Sequence, residues 1–123
     1  MKKIPQGVEH ELSYTVKPED TAEAYGSGLV KVFATPAMIA LMEKTALTSV
    51  EPYLHEDFTT VGFEVNIRHY KGVNVGEEVK AISHLRIVDE RKLLFRVEVW
   101  SNGDKVGEGS HTRYVVEKTQ YIK

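Results

Sequence analysis

Cysteine is missing from the sequence altogether, which removes disulfides, thiolate nucleophiles and the cysteine-containing zinc sites in one step. No apolar run approaches the ~18 residues of a membrane-spanning helix, and residues 1–7, MKKIPQG, carry no apolar stretch of the kind found in secretory leaders. The expectation is a cytoplasmic protein with no membrane partner. Charge of one sign is also in short supply: 18 acidic against 16 basic residues leave a net charge of −2, too little to steer the chain to nucleic acid or anionic lipid. The five histidines, His10, His55, His69, His84 and His111, include no i, i+4 pair of the helical zinc type, so no metal is expected. There is no Gly-x-Ser-x-Gly nucleophile elbow, phosphate-cradling loop or dinucleotide fingerprint, which sets aside most nucleotide-dependent enzymes and implies no cofactor.

What is present fits one globular domain over residues 1–123. The length suits one domain, and apolar and charged fractions of 41% and 28% are those of chains with a sizeable core. Residues 8–16 read as a strand stopped by Pro18. Residues 18–28, PEDTAEAYGSG, read as a short helix or loop able to act as a lid. The strongest helix signature begins at Thr35-Pro36, with threonine as N-cap and proline at N1, and stops at Glu51-Pro52. Its apolar residues cover most of the circumference, which predicts burial on most sides.

The remainder is strand-like. Residues 59–71 alternate, placing Val61, Phe63, Val65, Ile67 and His69 on one predicted face. Turn material at 72–77 precedes two further runs, 78–88 and 93–100, joined by the charged turn 89–92. Asn102-Gly103 supplies a strong hairpin signal before the last run, 105–116, and residues 119–123 are expected to fray. One buried helix, one strand before it and four after it predict an α+β domain in which an antiparallel sheet wraps around a central helix.

Three residues invite a chemical reading. Glu43 has Ile39, Ala40, Ala46 and Leu47 as its helical neighbours, so its carboxylate must acquire a partner or a raised pKa, or else reach the surface. His69 shares the helix-facing side of its strand, either as a general base or as a hydrogen-bonded core residue. Thr35 is either a simple N-cap or a hydroxyl placed at the positive end of a helix dipole. Thr35 and Glu43 are about 12 Å apart along the helix at ~1.5 Å per residue, so a site using both requires a second subunit. Gly62, within a β-branched and aromatic strand, marks a bulge or a close backbone approach to a ligand, where its amide can serve an oxyanion. Arg113, amid Gly107, Gly109 and His111, is either a carbonyl or phosphate ligand or a solvated residue.

In element order and in the segments ATPAMIALMEKTALTSVEPYL, TVGFEVNIRHYKGVNVGEEV and GEGSHTRYVV, the chain resembles the hotdog-fold acyl-CoA thioesterases, and within them the fluoroacetyl-CoA thioesterase type. The resemblance covers residues 30–118. It implies a hotdog fold, catalytic roles for Thr35, Glu43 and His69, substrate-binding roles for Gly62 and Arg113, and a homodimer with interfacial sites that can assemble further to a tetramer. The implied reaction is hydrolysis of a small or medium acyl-CoA. Fluoroacetyl specificity is not implied, because residues 24–36 contain only Tyr25 and Phe33 where the specific enzyme has an aromatic-rich lid. Acyl length would be set by residues such as Met38, Met42, Phe63 and Leu47. Alternatives are hydratase or dehydratase chemistry on the same thioesters, a non-catalytic acyl-CoA-binding module, and a carrier-protein thioester as substrate.

Overall fold

A computed structural model describes residues 3–121. The strands β1 (Glu9–Thr15), β2 (Phe58–His69), β3 (Glu78–Asp89), β4 (Lys92–Ser101) and β5 (Asp104–Glu117) form one antiparallel sheet in the order β1-β3-β4-β5-β2. The long helix α2 (Thr35–Val50) packs across its inner face, and the short α1 (Ala22–Tyr25) precedes it. The expected α+β architecture is therefore observed, with strand ends within about two residues of those read from the alternation. Asn102 and Gly103 both adopt positive φ, 50° and 79°, the backbone that a tight two-residue hairpin requires. At the C-terminal end, Lys118–Tyr121 forms a short helical turn, α3, instead of fraying; residues 122–123 lie outside the described part. No helix among the described residues is long and apolar enough to cross a membrane.

The core lies between helix and sheet. Met38, Met42, Ala46 and Val50 meet Val79, Ala81, Leu85, Leu93, Phe95 and Val97, all almost fully removed from water. Met38 and Met42 thus belong to the core of the chain, while Phe63 is 68% exposed. The helix itself departs from expectation. Its buried residues repeat at 37/38, 41/42, 45/46 and 49/50, a stripe of one face only, while Ala40 and Lys44 are exposed and Ile39, Glu43 and Leu47 are half-buried. The apolar residues on the second side are left for something other than this sheet to cover.

Strand β2 also departs from simple alternation. Gly62 pairs with Arg113, but the next pair is Glu64 with Thr112, leaving Phe63 as the extra residue of a bulge. A bulge shifts the side-chain phase by one. Thr60 and Gly62 face inward before it, and Val65, Ile67 and His69, opposite His111, Gly109 and Gly107, face inward after it. Val61 and Phe63 leave the predicted inner face, and the Phe63 ring packs edge-on against Tyr114 at 5.1 Å. His69 keeps its place toward the helix.

Candidate active site

The site residues fall into two clusters on either side of that bulge. The first lies at the start of α2. Ala34, with φ −74° and ψ 144°, is the N-cap, so Thr35 is the first helical residue and its hydroxyl caps no backbone N–H. Its Oγ1 is instead 2.8 Å from Nδ1 of His69, the last residue of β2. The other ring nitrogen, Nε2, is buried and has no hydrogen-bond partner among the described residues. Burial lowers the imidazole pKa below its ordinary 6.5, partly opposed by a backbone contact at Lys71, which keeps the ring neutral and able to accept a proton near neutral pH. The Phe33 ring stands edge-on to it at 6.5 Å.

A cavity of about 350 Å³ opens beside this pair, lined by Ala22, Ser27, Phe33, Thr35, His69 and Lys71 among others. Its cover is the segment between β1 and α2. Asp20 ties that segment to β1 by accepting hydrogen bonds from the Tyr14 hydroxyl at 2.6 Å and the Lys17 amide at 2.8 Å; the bond to Asp20 pushes the Tyr14 pKa up to about 12. The amide of Phe33 donates to the Val73 carbonyl, and that of Ala34 to the Asp20 carbonyl, each at 2.8 Å. Between these anchors Leu29 and Val30 project outward, 93% and 58% exposed.

The second cluster surrounds Glu43, eight residues further along α2. Its Oε2 is 3.5 Å from Nη1 of Arg113 and 3.9 Å from Nε2 of His111. The carboxylate has thus acquired a partner, one of the outcomes its apolar neighbours demanded. Arg113 is only 5% exposed, so the solvated reading of this residue is overturned. Its Nε donates to Thr60 Oγ1 at 2.8 Å, its Nη2 to the Thr60 carbonyl at 2.9 Å, and its Nη1 to His111 Nε2 at 3.1 Å. Burial lowers the guanidinium pKa and Glu43 opposes the shift; the group stays cationic. Gly62 closes the cluster, because a methyl group built on it would lie 2.5 Å from Oε2 of Glu43. The bulge reading of this glycine holds, and the group that comes close to its backbone is a carboxylate of the same chain.

Comparison with known proteins places the chain in a family. A sequence model of the FlK family, described as fluoroacetyl-CoA-specific thioesterase, matches residues 16–119. The chain belongs to this thioesterase family. It is 31% identical over 91 residues to the fluoroacetyl-CoA thioesterase of Streptantibioticus cattleyicolor, a match spanning 74% of this chain and 66% of that protein. A structure of a variant of FlK in complex with fluoroacetate and CoA is 27% identical, covering 96% of this chain and 99% of the other with a TM-score of 0.90. A thioesterase-superfamily protein of Thermus thermophilus is 26% identical, with 98% and 90% covered and a TM-score of 0.90. The hotdog fold inferred from the sequence segments is the fold of these relatives.

Within this family member, two polar residues of the second cluster had no separate role in the sequence reading. Thr60 grips Arg113 through both side chain and carbonyl. His111 is 1% exposed, donates from Nδ1 to the Glu64 carbonyl at 2.8 Å and packs against the Phe95 ring. The signal for His111 was its two-residue spacing from Arg113, which puts both on one strand face.

Proposed function

We propose that the protein hydrolyses the thioester of a small or medium acyl-CoA, with Thr35, Glu43 and His69 as its working residues and a homodimer as its active form. The observation that carries this reading is the Thr35–His69 pair in the lining of a cavity, with Nε2 of a neutral imidazole unpartnered among the described residues. A thioester carbonyl next to Gly62 accepts attack by water, which Glu43 activates, or by the carboxylate itself. The C–S bond then breaks and the departing thiolate takes a proton relayed by His69; where the carboxylate has attacked, water then cleaves the resulting anhydride, releasing the acid and restoring Glu43. The backbone at Gly62 serves the oxyanion. Arg113 holds Glu43 through Nη1 and stands beside Gly62 to bind the substrate.

Support for the dimer comes from two features. In one chain Thr35 bonds His69 and Glu43 bonds Arg113, about 12 Å apart by the rise of the helix. Strand β2 is also a 12-residue edge strand with exposed Phe63 and Val65. A long apolar edge of this kind is a template for pairing with another strand, and a second copy joined there supplies the missing half of each site. The test is release of free CoA thiol from acyl-CoAs ranging from acetyl to palmitoyl, comparing wild type with Glu43→Gln. Turnover by the wild type that falls at least about 10²-fold in a folded Glu43→Gln variant is expected. An equally active variant would remove Glu43 from the chemistry, and no thiol release from any CoA substrate would point to a binding module or a carrier-protein thioester.

A further inference from the structure

We propose that His111 is a positioning residue for this reaction, held as the neutral Nδ1–H tautomer, which sets the guanidinium facing Glu43 and pins the bulge that brings Gly62 to it. The inference rests on the reading of Glu43 as the reacting carboxylate.

The hydrogen bonds of the ring fix its tautomer. A carbonyl oxygen only accepts, so the 2.8 Å contact with Glu64 requires a proton on Nδ1. A guanidinium only donates, so the 3.1 Å contact with Arg113 requires a lone pair on Nε2. An imidazolium satisfies only the first of these. The ring cannot rotate out of this choice, because it is 1% exposed and lies 29° from parallel to the Phe95 ring at 6.3 Å.

Both partners of the ring bear on Glu43. Arg113 Nη1 is shared between His111 and Oε2 of Glu43, so the acceptor on Nε2 fixes the direction from which the guanidinium meets the carboxylate. Glu64 is the first paired residue after the bulge, and its carbonyl is held by Nδ1. His111 therefore ties together the strand that carries Gly62 and the side chain that orients Glu43. Its Cε1 would lie 3.5 Å from a methyl on Gly62, so the three groups share one small space. Misplacing a reacting group by about 1 Å costs on the order of 10²-fold in rate, and this is the error His111 prevents.

Two variants separate its two bonds. In His111→Asn the side-chain amide nitrogen overlies Nδ1 and still reaches the Glu64 carbonyl, but nothing accepts from Arg113. In His111→Gln the amide oxygen overlies Nε2 and accepts from Arg113. The experiment measures kcat and KM for the acyl-CoA that wild type turns over best, thermal midpoints of all three proteins, and the imidazole nitrogen resonances of wild type by two-bond 15N–1H NMR. Expected are an Nδ1–H signature for His111, a kcat for His111→Asn about 10- to 100-fold down with KM within about two-fold, and substantial recovery of kcat in His111→Gln. A folded His111→Asn with wild-type kcat would overturn the positioning role, as would an imidazolium or Nε2–H signature, which needs no variant to fold. Absence of turnover in wild type would instead sink the underlying thioesterase reading, and the positioning role with it.

Discussion

Replacing Gly62 with alanine puts a methyl group 2.5 Å from Oε2 of Glu43, against 3.4 Å or more for ordinary contact. The backbone here is paired with Arg113 on β5 and cannot yield cheaply, so the carboxylate must retreat by about 1 Å. It has somewhere to go. The Glu43 side chain is 39% exposed and swings outward, away from Arg113, which keeps its bonds to Thr60 and His111. Alanine also restricts the unfolded chain more than glycine, a gain of about 0.4–1 kcal/mol that offsets part of the weakened ion pair. The net change in stability should stay within about 2 kcal/mol, a shift of at most about 8 °C in thermal midpoint for a chain of this size.

The effect on catalysis should be much larger. A carboxylate displaced by about 1 Å from the reacting carbonyl loses on the order of 10²-fold in kcat, and the methyl group crowds the same space from the strand side. The assay is thiol release at saturating acyl-CoA beside a thermal melt of the same preparation. A Gly62→Ala protein that melts within a few degrees of wild type and turns over at its full rate would show that the contact between Gly62 and Glu43 has no part in the reacting geometry.

Lowered pKa values in His69 and His111, caused chiefly by burial, set the direction of a pH effect on stability. The unfolded chain takes up protons below about 6.5 while the folded one lags, so stability is complete above that pH and is lost as pH falls, with His111 contributing at most about 1.4 kcal/mol per pH unit; melts between pH 7.5 and 5 should show the decline, shallower in His111→Asn, and a flat profile would contradict the assignment. At Gly109 a methyl group would press on the backbone carbonyl of Asn66 and on Ile67 across the β2–β5 pair. Because neither atom belongs to a flexible chain end, Gly109→Ala should cost about 1–3 kcal/mol, read as a lower thermal midpoint, and an unchanged midpoint would refute the close packing of these strands.

How much of this was legible in the sequence depended on which residues the local rules see. The long helix, the Asn102-Gly103 hairpin and the antiparallel runs follow from propensity, turn chemistry and period, and all stand in the fold. Glu43 was conspicuous because a carboxylate among Ile39, Ala40 and Leu47 violates the helical pattern, and violations of pattern mark places where tertiary partners decide. The partner itself was invisible, since Arg113 lies 70 positions away and strand pairing alone brings it there. The phase of β2 departs from simple alternation for a similar reason. A bulge is a property of two strands, and one sequence shows only the glycine that permits it. The ordinary preference of threonine favours Thr35 as the cap, but the helix begins one residue earlier, and that single step releases its hydroxyl to His69.

The geometry of β2 also bears on how two copies would combine. Gly62 and His69 are seven residues apart on one strand, about 23 Å at ~3.3 Å per residue, so no single thioester can touch both within a protomer. Two β2 edges can pair antiparallel with their inner faces on the same side, provided that directly opposed residues share a face. If Asn66 sits on the two-fold axis, Glu64 lies opposite the partner's Arg68, and because Phe63 is the extra residue of the bulge, Gly62 comes opposite the partner's His69. Both residues face the helix side, so one copy would bring the Glu43–Gly62 cluster to the Thr35–His69 pair of the other. The chain contains no cysteine, which makes the register directly readable: Asn66→Cys should oxidise to a covalent dimer, since directly opposed antiparallel residues have Cα atoms about 4.5–5.5 Å apart and a disulfide accepts 4.4–6.8 Å. Thr59→Cys, seven positions from the axis, should remain monomeric on a denaturing gel. Cross-linking at Thr59 in preference to Asn66 would refute this register and the joining of the two clusters that depends on it.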